Sequence, residues 1–296
     1  EIMSSDWSSD VCSSDLIDIP HFPASGYYDA ASDRLIRIDR SNKFVRRIFN
    51  NGSWDDGGRF YGGWWQNLPK EWRQRIRISN SPVVEIDYSG LHIILLYALE
   101  GIDYWKDVAR DPYHLAGLGL SERVRKLLKL VLLIAINAKD RSSAMRAVNS
   151  EIRSAGNEYE WFSSSGVRLA DLIDRFADAH APIKKYVFTG YGVKLQRLDS
   201  MIAEHVIEGM TAMNRTVLCV HDSFIVTSSD QECLAELMQE AFNKQLAHLS
   251  GLHGGSPARV SIQGIKKDWF DYAIGPGSRG PYGDPGLAAD LLGLSD

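Results

Sequence analysis

Three cysteines in 296 residues, Cys12, Cys219 and Cys233, are too few and too scattered for a disulfide framework. No CxxC pair and no Cys/His spacing of a zinc site occurs, so a reduced, cytoplasmic chain is expected. Positive charge is also short: 33 Lys and Arg against 38 Asp and Glu leave a net charge of −5. That excludes a globally basic nucleic-acid binder; a polyanion would have to be held by local clusters. Long apolar runs are missing too. The longest, Leu127 to Ile136, contains Lys129 and is far too short to span a bilayer, so no membrane partner is expected. Neither a secretory signal at the start nor an internal repeat is visible.

The remaining composition, 44% hydrophobic and 24% charged, is that of an ordinary globular protein with one large domain or two small ones. Residues 1–16, EIMSSDWSSDVCSSDL, stand apart. They are Ser/Asp-rich, repeat SSD three times and lack periodicity, as a disordered or non-native leader would.

The most informative stretch is Val217 to Val226, VLCVHDSFIV. Two apolar β-rich arms flank the polar step His221, Asp222, Ser223, which suggests a hairpin whose tip carries a carboxylate. Asp-Ser is also a common turn pair, so the tip alone leaves a plain turn open. A second stretch, Ser81 to Gly101, supplies a possible partner. Pro82 to Ile86 reads as a buried strand ending at Asp87, Gly90 permits a turn, and Leu91 to Leu99 begins a buried helix. Asp87 could instead be a helix N-cap.

Between these stretches, Ser121 is a credible N-cap for a long helix running through SERVRKLLKLVLLIAINAKDRSSAMRAV. Arg125, Lys129, Leu133 and Asn137 recur every four residues and share one face. Two cations one turn apart suit a polyphosphate, although a solvated face is the plainer alternative. Upstream, Asp33 to Asn50 mixes Leu35, Ile38, Phe44, Val45 and Ile48 with six basic residues, an amphipathic segment with a basic face. The loop GGRFYGGWWQNLP, Gly57 to Pro69, could approach a ligand closely while Arg59, Gln66 and Asn67 offer polar contacts; a Trp-anchored packing loop is the alternative. Lys70 to Ile78 ends in edge-strand alternation, and residues 151–166 read as a polar connection. Leu169 to Val187, Leu195 to Met213 and Glu232 to Leu249 read as helices, the first interrupted at Ala181-Pro182, and Val260 to Ile265 as a strand.

Two strand-end aspartates with a cationic helix face between them suit phosphoryl transfer with two Mg²⁺ ions about 3.5–4 Å apart. Mg²⁺ needs few carboxylates when phosphate oxygens complete its shell.

At these residues the sequence resembles a known family. DYSGLH, Asp87 to His92, is similar to motif A (DYSQIE) of the family A, polymerase-I-like nucleic acid polymerases. VHDSFIV resembles their motif C, and Ser223 after the aspartate resembles the single-subunit RNA polymerases. Arg125, Lys129, Leu133 and Asn137 are similar in spacing to motif B, and GGRFYGGWWQNLP to the GR…LQNIP segment. The motifs occur in the family's order, and the resemblance covers roughly residues 57–270.

The resemblance implies an α+β right-hand polymerase fold: a palm whose antiparallel sheet carries the motif A and C strands, helical fingers, and a thumb reduced or absent. It implies an N-terminal or reduced-thumb and primer-template contact segment over 17–80 and a palm over 81–274 with a fingers insertion at about 110–185; composition sets apart the leader 1–16 and a Gly/Pro-rich, flexible tail 275–296. Asp87 and Asp222 would be catalytic and hold Mg²⁺, or Mn²⁺, with the Tyr88 backbone. Arg125, Lys129, Leu133, Asn137 and His92 would contact the nucleotide. Arg59, Gln66, Asn67, Gln196, Arg197 and His221 would contact primer or template. The implied partners are primer-template, dNTPs or NTPs, and a processivity or helicase/primase factor, in a bacterial, phage or plasmid setting. No segment corresponds to a proofreading domain. His92 stands where the family has Glu, Asn137 where it has Tyr, and Ala138 where it has Gly. A bulky His92 favours deoxynucleotides, while Ser223 leans toward RNA synthesis. A primase, a two-metal nuclease and an inactive nucleic-acid-binding relic are the other readings.

Overall fold

Val83, Val84 and Ile86 are buried along one extended segment, and a strand that buries both faces must lie inside a sheet. The computed structural model describes residues 3–5, 17–23, 26–29, 33–118, 121–250, 259–263 and 270–273. Its strands are β1 Met3–Ser5, β2 Ile17–Asp18, β3 Tyr27–Asp29, β4 Arg34–Ile36, β5 Arg46–Phe49 and β6 Gly57–Tyr61. They continue with β7 Arg77–Ile78, β8 Ser81–Tyr88, β9 Leu218–Val220, β10 Ser223–Thr227, β11 Arg259–Gln263 and β12 Phe270–Ala273. The α-helices are α1 Lys70–Arg73, α2 Leu91–Leu99, α3 Glu122–Asn137 and α4 Arg141–Ser154. After them come α5 Glu160–Ser163, α6 Leu169–Ala179, α7 Gly192–Ala212 and α8 Gln231–Ser250.

The architecture is mixed α+β. The main sheet runs β12-β11-β8-β10-β9 and is antiparallel at every step. β7 joins the start of β8 through Ser79 and Asn80, both at positive φ, as a two-residue type I′ hairpin requires, and β2 pairs with β7. A second sheet, β1-β5-β6, and the two-stranded ribbon β3-β4 lie in the N-terminal region. α2, α7 and α8 pack on one another, and α7 also runs against β6. The Tyr88 ring stacks on Phe242 of α8 at 6.1 Å and its hydroxyl donates to the Met238 carbonyl at 2.5 Å, so α8 covers one face of the sheet. The alternate face, with Glu85 and Asp87, is left for chemistry.

Several elements differ from the sequence expectation. The helix beginning at Ser121 stops at Asn137 rather than running to Val148. Asn137 turns its amide back to the Leu133 carbonyl at 2.7 Å, and Asp140 caps a new helix by accepting from the Ser143 amide at 2.8 Å. The polar stretch 151–166 is partly helical, because α4 continues to Ser154 and further helical turns fill Gly156–Tyr159 and α5. Asp33 to Asn50 forms strands, not a continuous amphipathic face: in β5, Arg46 is exposed while Arg47 is buried, the period of two of a half-covered strand. Three leader residues pair as β1 with β5; the rest of 1–16 and the 275–296 tail lie outside the described residues. No helix among the described residues is long and apolar enough to cross a membrane.

Candidate functional site

The β9–β10 hairpin is as tight as a hairpin can be. Val220 pairs with Ser223, leaving His221 and Asp222 as its two tip residues. His221 sits at φ +60°, a position where such turns favour glycine, so its surroundings must hold it there. They do so from three sides. Trp65 Nε1 and Gln66 Nε2 both donate to the Cys219 carbonyl, at 3.0 and 2.9 Å, and the Tyr61 ring meets the imidazole edge-on at 5.0 Å. Gln66 also donates to the Phe60 carbonyl and accepts from the Gly62 amide, which locks hairpin and loop together.

Ser223 is paired with Asp87 across β10 and β8. The strand register thus brings the tip carboxylate of Asp222 beside that of Asp87, although the two lie 135 residues apart in sequence. Burial raises the Asp87 carboxyl well above the ordinary carboxylate range, and the adjacent Asp222 raises it further. Lys129, the largest opposing influence, draws it back. Among the described residues no group of three or more His, Cys, Asp and Glu could hold a metal. Two neighbouring carboxylates do fit Mg²⁺, which is usually held by one or two carboxylates and completed by phosphate oxygens. Side-chain ligation would fall to Asp87 and Asp222; the Tyr88 side chain points to α8.

Two ion pairs brace this centre. Glu85, two residues before Asp87 on the same strand face, is buried and held by Arg73 through a fork: Nε to Oε2 at 3.0 Å and Nη2 to Oε1 at 2.8 Å. Ser223 Oγ lies 2.9 Å from Glu85 Oε1 and 3.2 Å from the Val220 carbonyl, so its single proton ties the hairpin to that pair. The second brace is Asp199 of α7, fully buried. It accepts from Arg59 Nε, at 3.1 Å to Oδ1 and 3.0 Å to Oδ2, and from Arg59 Nη2, while His92 Nε2 stands 2.8 Å from its Oδ2. A carboxylate only accepts, so His92 carries its proton on Nε2. Asp222 lies near enough to stabilise the Arg59 charge as well.

His221 is half-buried, and its Nδ1 has no hydrogen-bond partner among the described residues. Burial and then the Arg59 charge push its imidazole below the ordinary range, so it is neutral at neutral pH. Lys70 is likewise lowered, by burial, beside Glu85 and Asp87.

Along α3 the four-residue face is graded. Lys129 is exposed and its charge reaches Asp87. Arg125 is tied to Asp111, Nε to Oδ2 at 2.9 Å, and lies 5.0 Å over the Tyr113 ring, itself beside Asp222 and Asp87. Leu133 is half-buried, and Asn137 sits at the helix end beside Gly192. Asn67 is exposed, its carbonyl accepting from Tyr27. Gln196 is half-buried on α7, and the Arg197 guanidinium lies 5.7 Å over the Phe49 ring of β5. The structure therefore gathers Asp87, Asp222, Lys129, His221, Arg59 and His92 at one place. It spends Gln66 on bracing the hairpin and sets Arg197 against β5.

Sequence reading missed Asp199, Glu85 and Arg73. Asp199 had a signal: it falls one turn from Leu195 and Ala203 on the buried face of α7, where an isolated acid needs a partner.

No family model matches the chain, and no curated protein matches it. Among solved structures it is similar to the POL domain of Pol1 from M. smegmatis in complex with DNA primer-template and dNTP, with TM-score 0.37 and 12% identity. That match covers 79% of this chain and 48% of the other, so the chain spans about half the length of that structure.

Proposed function

We propose that the chain is a template-directed nucleotidyltransferase, a DNA polymerase that adds deoxynucleotides to a primer 3′ end. The observation that carries this reading is the Ser223–Asp87 register, which sets two carboxylates side by side below a helix face bearing Lys129 and Arg125. On this reading residues 81–274 form a palm, with α3 to α6 among its fingers within about 110–185, and 17–80 contact primer and template. Two Mg²⁺ ions, when bound, would lower the pKa of the primer hydroxyl and stabilise charge on the departing pyrophosphate.

The chain's own residues divide the remaining work. Asp87, whose carboxyl is raised by burial and by Asp222, would give up its proton as it and Asp222 become the ligands. Lys129 faces the triphosphate side. Arg125 must leave Asp111 to join it, a cheap exchange, since a half-exposed ion pair contributes only about 0–1 kcal/mol. Arg59 cannot be released in the same way: its fork on buried Asp199 leaves only Nη1 to reach a primer or template. His92, fixed by Asp199, presents a rigid bulk where the family resemblance puts the nucleotide sugar, which favours dNTPs over NTPs.

The test is extension of a labelled primer on DNA and RNA templates with dNTPs or NTPs, in Mg²⁺ or Mn²⁺. Wild type should extend with dNTPs, whereas Asp222→Asn and Asp87→Asn should fall at least a thousandfold while still giving a single cooperative thermal melt of a folded chain. Full extension by either variant would sink the proposal.

A further inference from the structure

Asp222 stands on a two-residue tip that is held from both of its arms. On the incoming arm the Cys219 carbonyl takes two donors, Trp65 Nε1 at 3.0 Å and Gln66 Nε2 at 2.9 Å. On the outgoing arm Ser223 Oγ lies 2.9 Å from Glu85 Oε1, which can only accept.

The two holds meet in one side chain. Arg73 Nη1 donates to the Leu68 carbonyl at 3.0 Å, at the end of the turn that carries Trp65 and Gln66. Its Nε and Nη2 fork onto Glu85 at 3.0 and 2.8 Å. A single guanidinium thus joins the Cys219 clamp to the Ser223 anchor, with the tip between them. Its donors lie in one rigid plane, so it fixes a carbonyl and a carboxylate relative to each other.

The tip needs holding. His221 keeps φ at +60°, where a side chain is strained, and Asp222 follows it directly. Relief of that strain would move the tip, and Asp222 with it.

Glu85 is a third carboxylate on this face of the sheet. Ser223 pairs with Asp87, and Glu85 lies two residues before Asp87 on the same strand. Glu85 is buried, and both of its oxygens are taken: Oε2 by Arg73, Oε1 by Arg73 and Ser223. A carboxylate so committed is not a metal ligand. It fixes the strand that carries Asp87 against the tip that carries Asp222. Mg²⁺ tolerates little departure from octahedral geometry, so its affinity depends on how firmly two carboxylates are placed.

We propose that Arg73, Glu85 and Ser223 are positioning residues, whose linked contacts set the affinity of the Asp87/Asp222 pair for a divalent cation. The proposal rests on those two aspartates being the metal ligands, and it is testable without catalysis.

The test is Mn²⁺ binding to the full-length chain, without nucleotide or nucleic acid, read from the free-ion signal in electron paramagnetic resonance. Ser223→Ala leaves the Arg73 fork intact and should weaken Mn²⁺ binding about tenfold or more, the usual effect of losing an outer-shell partner. Ser223→Thr keeps the hydroxyl and should recover most of that loss. Arg73→Met/Glu85→Gln removes both charges together, so neither is stranded. It should weaken binding as Ser223→Ala does, and combining the two should add little, because the three residues act in series. In primer extension these variants should need more Mg²⁺ for half-maximal rate, yet approach the wild-type rate once Mg²⁺ saturates. Cooperative melts qualify each variant, and the Ser223 pair decides alone where the double variant fails to fold.

Wild-type Mn²⁺ affinity in Ser223→Ala would overturn the proposal. So would an equal loss in Ser223→Thr, or full additivity with Arg73→Met/Glu85→Gln. The two readings fail differently. A wild type that binds no Mn²⁺, or binds it as well in Asp222→Asn, would reject the metal pair and both readings with it. Binding lost in Asp222→Asn but kept in Ser223→Ala would reject the positioning role alone. Binding weakened as expected in a chain that extends no primer would reject the polymerase reading and leave the positioning role standing.

Discussion

Asp199 Oδ2 accepts from His92 Nε2 at 2.8 Å while the same carboxylate receives the Arg59 fork, so one buried acid of α7 fixes two side chains beside the aspartate pair. Removing one member of such a buried ion pair costs about 3–5 kcal/mol, because the stranded charge stays out of water. Asp199→Leu should therefore lose about that much in urea unfolding, and Asp199→Leu/Arg59→Met should recover a large part of it. A single variant within about 1 kcal/mol of wild type would show that the fork holds nothing.

His180 gives the chain a pH-dependent stability separate from that of the aspartate pair. Its Nε2–H donates to the Pro112 carbonyl at 3.0 Å and its Nδ1 accepts from the Tyr97 hydroxyl at 3.1 Å, a buried neutral imidazole. Burial first, and the Arg110 charge second, lower it from 6.5 to about 4. Below about pH 6.5 the unfolded chain binds a proton that the folded chain refuses until about pH 4. The contribution is thus complete above 6.5 and is lost as pH falls, to a total of about 3 kcal/mol. His180→Leu should be less stable at neutral pH, with the Pro112 carbonyl left without its donor, yet flatter between those two pH values. Parallel pH profiles for the two proteins in chemical denaturation would count against it.

Much of this was legible in the sequence where local chemistry decides the outcome. The β-rich arms around His221 and Asp222, the strand that carries Asp87 one residue before its end at Tyr88, and the Ser121 cap, which accepts from the Val124 amide at 3.4 Å, all follow from near neighbours. The break at Asn137–Asp140 was obscured because apolar spacing continues through it, and only the competing cap at Asp140 stops the first helix. Arg59 was visible as a cation but not its destiny: its partner Asp199 is 140 residues away, and no spacing rule reaches that far. Ser223 illustrates the same limit. Its neighbour in sequence suggested a choice of sugar, whereas its hydroxyl is occupied by Glu85, a contact made by strand register.

Gly192 opens α7 directly against the end of α3. A Cβ at that position would stand 1.9 Å from Asn137 Oδ1, and Asn137 cannot simply swing away while its amide holds the Leu133 carbonyl. Gly192→Ala should cost about 1–3 kcal/mol through this overpacking. Asn137→Ala/Gly192→Ala should be less damaging than the sum of the single changes, with a coupling of at least about 0.5 kcal/mol in thermal or urea unfolding. Strict additivity would place the strain elsewhere.

The aspartate pair itself predicts how metal and acid compete. Because burial and Asp222 raise the Asp87 carboxyl, the folded chain holds a proton there that the unfolded chain releases earlier. The resulting stabilisation is present at low pH and disappears as pH rises through the folded value, leaving two ionised carboxylates in mutual repulsion. A divalent cation replaces the proton, so Mg²⁺ should raise the melting temperature more at about pH 8 than at about pH 5, following its occupancy of the folded state. Asp222→Asn removes both the repulsion and one ligand. In differential scanning calorimetry that variant should be more stable than metal-free wild type at about pH 8, and its response to Mg²⁺ should be largely lost. An equal Mg²⁺ shift in both proteins would mean that the ion binds somewhere other than between Asp87 and Asp222.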